Sequence, residues 1–176
     1  MILNRQREVR VARRALESFL RRAKKELGVE KSDVTVCLID NKAMARLNRE
    51  FRKKMGPTDV LSFPSGERSR RRARRGSLRS ADRKRGSFFI TEDTEGPEKA
   101  KRGKRTSEAN AAYLGDIAIA PATARRYARK HGRPLATELR VLILHGLLHL
   151  LGYDHETDRG EMDRIEQKLR RRFGLT

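Results

Sequence analysis

The chain has a single cysteine, Cys37, and no tryptophan among its 176 residues. One thiol excludes an internal disulfide framework and fits a reducing compartment. Cys37 falls in a strand-like run, so a buried structural thiol is expected rather than a nucleophile. The N-terminal residues Met1-Ile2-Leu3-Asn4-Arg5-Gln6-Arg7 lack an apolar signal core. No apolar run reaches membrane-spanning length. These absences predict a cytoplasmic protein without a membrane partner. No internal repeat is visible, and the length suits one domain. Acid is scarce as well: 23 Asp and Glu face 43 Lys and Arg, a net charge of +20. That excess predicts a polyanionic partner, nucleic acid before others, with a merely solvated basic surface as the plainer alternative.

The apolar pattern divides the chain into short elements. Residues 1–5 read as a short strand. Ala12, Ala15, Leu16, Phe19, Leu20, Ala23 and Leu27 follow helical spacing up to Gly28. Residues 34–39 read as a strand. Asp40 or Asn41 can cap the next helix, whose stripe is Met44, Leu47 and Phe51. Turn residues at 56–59 precede a second strand at 60–63, stopped by Pro64. Residues 114–120 form a third clear strand. A short helix over 122–130 closes at His131-Gly132, and Pro134 opens a long apolar helix. Thr157 can cap a last helix with the stripe Met162, Ile165, Leu169 and Phe173.

Residues 65–112 differ in composition. They hold 15 Lys and Arg against 7 Asp and Glu, with too few apolar residues to offset the entropy of ordering, so disorder is expected. Phe88-Phe89-Ile90 is the one candidate for a strand or contact patch. The segment reads equally as an RNA-binding arm or as a soluble insertion. The rest of the chain stays strongly basic without it.

Three of the four histidines lie within His145-Gly146-Leu147-Leu148-His149-Leu150-Leu151-Gly152-Tyr153-Asp154-His155. Four residues apart on a helix, His145 and His149 differ by about 40° in direction and about 6 Å in rise. Two imidazoles on one face at that spacing can share a metal ion. Gly152 suits a positive-φ turn that folds His155 back toward them. Without a metal, unpartnered imidazoles in an apolar helix would be costly. Three neutral imidazoles and an open fourth position describe a catalytic zinc site. The spacing is that of metzincin proteases, but those carry Glu directly after the first histidine as general base. Here Gly146 stands there, so peptide hydrolysis by that route is disfavoured. His131 precedes the Gly132-Arg133-Pro134 turn and reads as a helix-end histidine.

Several stretches together resemble the YbeY-type rRNA maturation factors, a family of metal-dependent endoribonucleases. They are the histidine motif with Gly in second place, Leu47-Asn48 with Arg52, Pro57-Thr58-Asp59-Val60-Leu61-Ser62-Phe63-Pro64, and Leu114-Gly115-Asp116-Ile117. The resemblance runs from about Val34 to Phe173 apart from the basic segment, which the family usually replaces with a short connection. It implies a single α/β (α+β) domain, with a mixed sheet of about four strands surrounded by helices. The domain would span residues 1–176, interrupted by the insert at 65–112. It also implies one Zn2+ per chain on His145, His149 and His155, and a role in RNA cleavage for Arg52.

The implied activity is a single-strand-specific, zinc-dependent endoribonuclease. It would act in 16S rRNA 3′-end maturation and ribosome quality control, with rRNA and the small ribosomal subunit as partners. The rivals are a zinc metalloprotease-like hydrolase and a non-catalytic ribosome-assembly factor with structural zinc. Zinc on three imidazoles can activate water or polarise a phosphoryl oxygen, and guanidinium suits the charge developing on phosphorus. No residue stands out as general base. Glu138 lies about 10.5 Å along the helix from His145 and suits a cap or dipole role. Asp116 and Asp154 can each orient a ligand imidazole. The RNA 2′-OH is an alternative nucleophile to water.

Overall fold

The computed structural model describes residues 1–66, 112–155 and 158–175. Among them are four strands and five helices. In chain order they are β1 (Ile2–Asn4), α1 (Arg13–Glu26), β2 (Asp33–Leu38), α2 (Asn41–Arg52), β3 (Val60–Pro64), β4 (Tyr113–Ile119), α3 (Pro121–Lys130), α4 (Leu135–Leu150) and α5 (Glu161–Phe173). The fold is α+β, as expected. The strands form one mixed sheet in the order β1-β2-β4-β3. β1 and β4 flank β2 in parallel, and β3 runs antiparallel to β4 at the edge.

Alternation along the strands gives the sheet two buried faces. Val34, Val36, Leu38, Ile117 and Ile119 join the larger core with Leu16, Phe19 and Leu20 of α1, most of α4, and Met162 and Leu169 of α5. Cys37, Ile39, Leu61, Ala118 and Ala120 meet Met44 and Leu47 of α2 on the other face. From Val141 on, α4 is largely apolar because the sheet covers one side and α1, α3 and α5 pack on others, while the His145 and His149 side stays partly open. It alone buries ten residues between Glu138 and Leu150. Among the described residues, no helix is long and apolar enough to cross a membrane.

Some local expectations shift. The Asp40 carboxylate caps α2 by accepting from the Ala43 amide at 2.7 Å. Phe51, expected on the buried stripe, is 47% exposed and rests edge-on against Phe63 of the edge strand β3 at 5.0 Å. Thr157, expected to cap the last helix, lies outside the described residues. The amides of Gly160 and Met162 donate to the Asp158 carboxylate at 2.7 and 2.8 Å. Phe88-Phe89-Ile90 also lies outside the described residues. At the ends of the basic segment, the Ser65 amide donates to the Leu114 carbonyl (2.8 Å) and the Asp33 amide to that of Ala112 (3.0 Å).

β4 carries an irregularity that sets what faces where. Asp33 pairs with Tyr113 but Val34 with Gly115, so Leu114 is an extra residue in the register. Gly115 takes φ +136°, and a Cβ there would lie 2.2 Å from the Phe63 carbonyl oxygen. Only glycine fits that conformation and that approach. Beyond the bulge, Ile117 faces α4, and Asp116 lies on the α2 side with its register partner Phe63.

Candidate metal centre

Two imidazoles come from the last turns of α4 and the third from the turn that follows. Gly152, at φ +86°, reverses the chain after α4, and its amide donates to the His149 carbonyl at 2.9 Å. His155 returns to the helix face. One ring nitrogen from each of His145, His149 and His155 lies within 4.8 Å of the other two. The His145 and His149 Nε2 atoms stand 3.1 Å apart. Ring centroids are separated by 4.6, 5.7 and 5.4 Å. His145 and His149 are half-buried and His155 is exposed, so the cluster opens to solvent. Three converging imidazoles could hold one metal ion.

The imidazoles are held from behind. His145 Nδ1 lies 3.0 Å from Glu166 Oε2. The carboxylate accepts only, so Nδ1 carries a proton; in the neutral ring Nε2 then presents its lone pair toward His149. The other carboxylate oxygen accepts from Arg170 Nε at 3.0 Å. Burial, the largest influence on Glu166, favours its neutral form, but hydrogen bonding and charge from His145 and Arg170 outweigh it and hold its pKa below the ordinary value. The His149 pKa is lowered, first by burial and then by the charges of His145 and His155. Asp154 and a hydrogen bond with the Tyr153 backbone oppose that shift without reversing it. A neutral imidazole with a free lone pair is what a metal requires.

Gly146 explains the missing glutamate. Its position on α4 faces the sheet, where a Cβ would lie 2.8, 2.9 and 3.1 Å from Ile117 side-chain carbons. A side chain here would point into β4 rather than toward the histidines.

The other acidic candidates fall elsewhere. Asp116, expected as a possible orienter of a ligand imidazole, is turned to the α2 side by the bulge and accepts from the Tyr113 hydroxyl. Glu138 is buried in the first turn of α4 and pairs with Arg133 at 3.0 Å, far along the helix from the histidines. His131 Nδ1 lies 2.8 Å from the Tyr127 carbonyl oxygen and its ring stacks on Tyr127, as suits a helix-end residue. Glu166 is the functional residue that sequence reasoning missed. Its signal was present: it stands between Met162 and Leu169 on the buried stripe of α5, where an acid needs a partner.

Arg52 is the last residue of α2, on the opposite face of the sheet from α4. Both helices nonetheless reach the same end of β3. Phe51, beside Arg52, packs on Phe63. Leu150, beside His149, and Pro64 both lie 3.0 Å from where a Gly115 Cβ would stand.

The family model for Endoribonuclease YbeY matches residues 1–174 of this chain. Endoribonuclease YbeY of Solibacter usitatus is 36% identical over 163 residues, covering 93% of this chain and 80% of the relative. That of Koribacter versatilis is 35% identical over 178 residues, covering 99% and 86%. The fold is similar to the solution structure of a Thermotoga maritima protein, with a TM-score of 0.52 and 23% identity over 96% of this chain and 85% of that one. The chain belongs to the YbeY endoribonuclease family.

Proposed function

We propose that this protein is a single-strand-specific, zinc-dependent endoribonuclease that matures the 16S rRNA 3′ end and serves ribosome quality control in the cytoplasm. rRNA and the small ribosomal subunit are its partners. The observation that carries this reading is the convergence of three imidazoles on one point, joined to a net charge of +20. The His145 and His149 Nε2 atoms stand 3.1 Å apart and the three donor nitrogens lie within 4.8 Å of one another, a donor set that would suit one zinc ion. Zinc, when bound, supplies a positive charge that activates water and polarises a phosphoryl oxygen.

The chain's own residues do the rest. His145, His149 and His155 would hold the ion by neutral donors and leave its charge undiluted. The Lys and Arg excess binds the RNA backbone. Arg52 offers two parallel N–H donors to the phosphoryl oxygens as charge develops there. The approach of α2 and α4 to one end of β3 supports a shared task for Arg52 and the histidines. The metalloprotease reading is disfavoured because position 146 faces Ile117. A purely structural zinc is disfavoured because His155 leaves the cluster open to solvent.

The test compares His149→Ala, Arg52→Ala and Arg52→Lys in zinc content, single-stranded RNA affinity and single-turnover cleavage. His149→Ala should lose zinc. Both Arg52 variants should keep zinc, weaken RNA binding only modestly, and cleave on the order of a hundredfold more slowly. Full zinc retention in His149→Ala refutes the site, and wild-type cleavage by Arg52→Ala refutes the role of the guanidinium.

A further inference from the structure

We propose that Glu166, pinned by Arg170, is a positioning residue that sets the tautomer of His145 and so admits the metal. This rests on the reading of the three histidines as a metal site. The chain of contacts is His145 Nδ1 to Glu166 Oε2 at 3.0 Å and Glu166 Oε1 to Arg170 Nε at 3.0 Å. All of it comes from one helical turn of α5 laid against the C-terminal half of α4. The Glu166 side chain is only 7% exposed, so water cannot readily replace either partner.

The direction of each hydrogen bond follows from the donors available. Arginine has no acceptor, so Arg170 always demands an oxygen. Glu166 has two oxygens and satisfies Arg170 with one and the His145 Nδ1–H with the other. His145 is thereby held with its proton on Nδ1 and its lone pair on Nε2, the atom turned toward His149. Outer carboxylates that orient metal-binding histidines typically carry 10–100-fold in metal affinity.

The arrangement makes an unusual demand on the near-isosteric variant. In Glu166→Gln one oxygen remains, and the charged guanidinium claims it. The amide NH2 is then presented to His145 Nδ1, which must accept. The ring proton moves to Nε2, where it blocks the metal. Removing the arginine frees the amide to turn its oxygen toward His145 and restores the productive tautomer.

The experiment measures zinc affinity by chelator competition for the full-length wild type, Arg170→Met, Glu166→Gln and the double variant. The His145 tautomer is read in the zinc-free proteins from imidazole 15N shifts. We expect Glu166→Gln to bind zinc about 10–100-fold more weakly, with the His145 proton on Nε2. Arg170→Met should stay within a few-fold of wild type. The double variant should recover most of the lost affinity and return the proton to Nδ1. A residue that merely packs α5 on α4 would not be rescued by a second, destabilising substitution. Wild-type affinity in Glu166→Gln, or a double variant no tighter than Glu166→Gln, overturns the inference. Failure of the metal reading is separate: wild-type protein would then take up no zinc, whatever stands at position 166.

Discussion

Replacing Gly146 by alanine probes the contact that orients the histidine helix. The new Cβ would meet Ile117 carbons at 2.8, 2.9 and 3.1 Å, and Ile117 is fully buried in the middle of β4, so the neighbours must give way. Overpacking of this kind costs about 1–3 kcal/mol. Alanine returns up to about 1 kcal/mol as the better helix former. The net expectation is a loss of about 1 kcal/mol, or a fall in Tm of about 3 °C for a chain of this size. Ile117→Ala alone should cost about 3 kcal/mol by leaving a cavity. In the double variant the new methyl enters that cavity, so the combined loss should undershoot the sum of the singles by about 1 kcal/mol or more. Denaturant unfolding of the four proteins measures this. Additive losses would refute the packing of position 146 against Ile117.

Two further outcomes follow. Burial raises the Cys37 pKa to about 11 from 9.0, which leaves about a hundredfold less thiolate at pH 8. Alkylation of native protein at pH 8 should therefore be at least that much slower than in denaturant, and equal rates would refute the burial. The folded pKa exceeds the unfolded one, so this thiol's contribution to stability is complete below pH 9 and is lost as pH rises toward 11. Replacing residues 66–111 with a short Gly/Ser linker keeps Ser65 and Leu114, whose amide and carbonyl are joined at 2.8 Å, and a connection about tenfold shorter costs about 2 kcal/mol less to close than a flexible one of the original length. Tm should hold or rise and zinc content stay unchanged. A clear fall in Tm would show that the segment packs on the domain, while RNA affinity should lose part of its salt dependence.

Much of the architecture was legible because its signals are local. Period-3.6 stripes found α1 and α5, alternation and bounding turns found β2, β3 and β4, and the His145, His149 and Gly152 spacing brought out the cluster. What stayed hidden depends on contacts between distant residues. Glu166 lies 21 positions after His145, and nothing in the spacing says that α5 crosses α4 at that level. Asp116 looked like a candidate orienter until the extra residue at Leu114 set its face. Phe51 kept the helical rhythm of Met44 and Leu47, but it lies over the edge strand, where Phe63 covers one side of its ring and 47% of the residue stays exposed. Gly146 read as a missing base, whereas the structure adds why that position could not have aimed one at the cluster.

The strand order also has a consequence for how the protein is made. β4 sits between β2 and β3, yet Tyr113 follows Pro64 by roughly 50 positions. At about 5–20 residues per second, the ribosome takes several seconds to deliver it. Among the described residues β4 is the one strand that pairs with β3, so over that interval β3 waits for that partner. Unpaired edges invite mispairing with other chains. Pro64, which has no amide hydrogen to offer, closes off the last position of that strand. A sequence that delays its central strand so long places a premium on a short, proline-ended edge during synthesis.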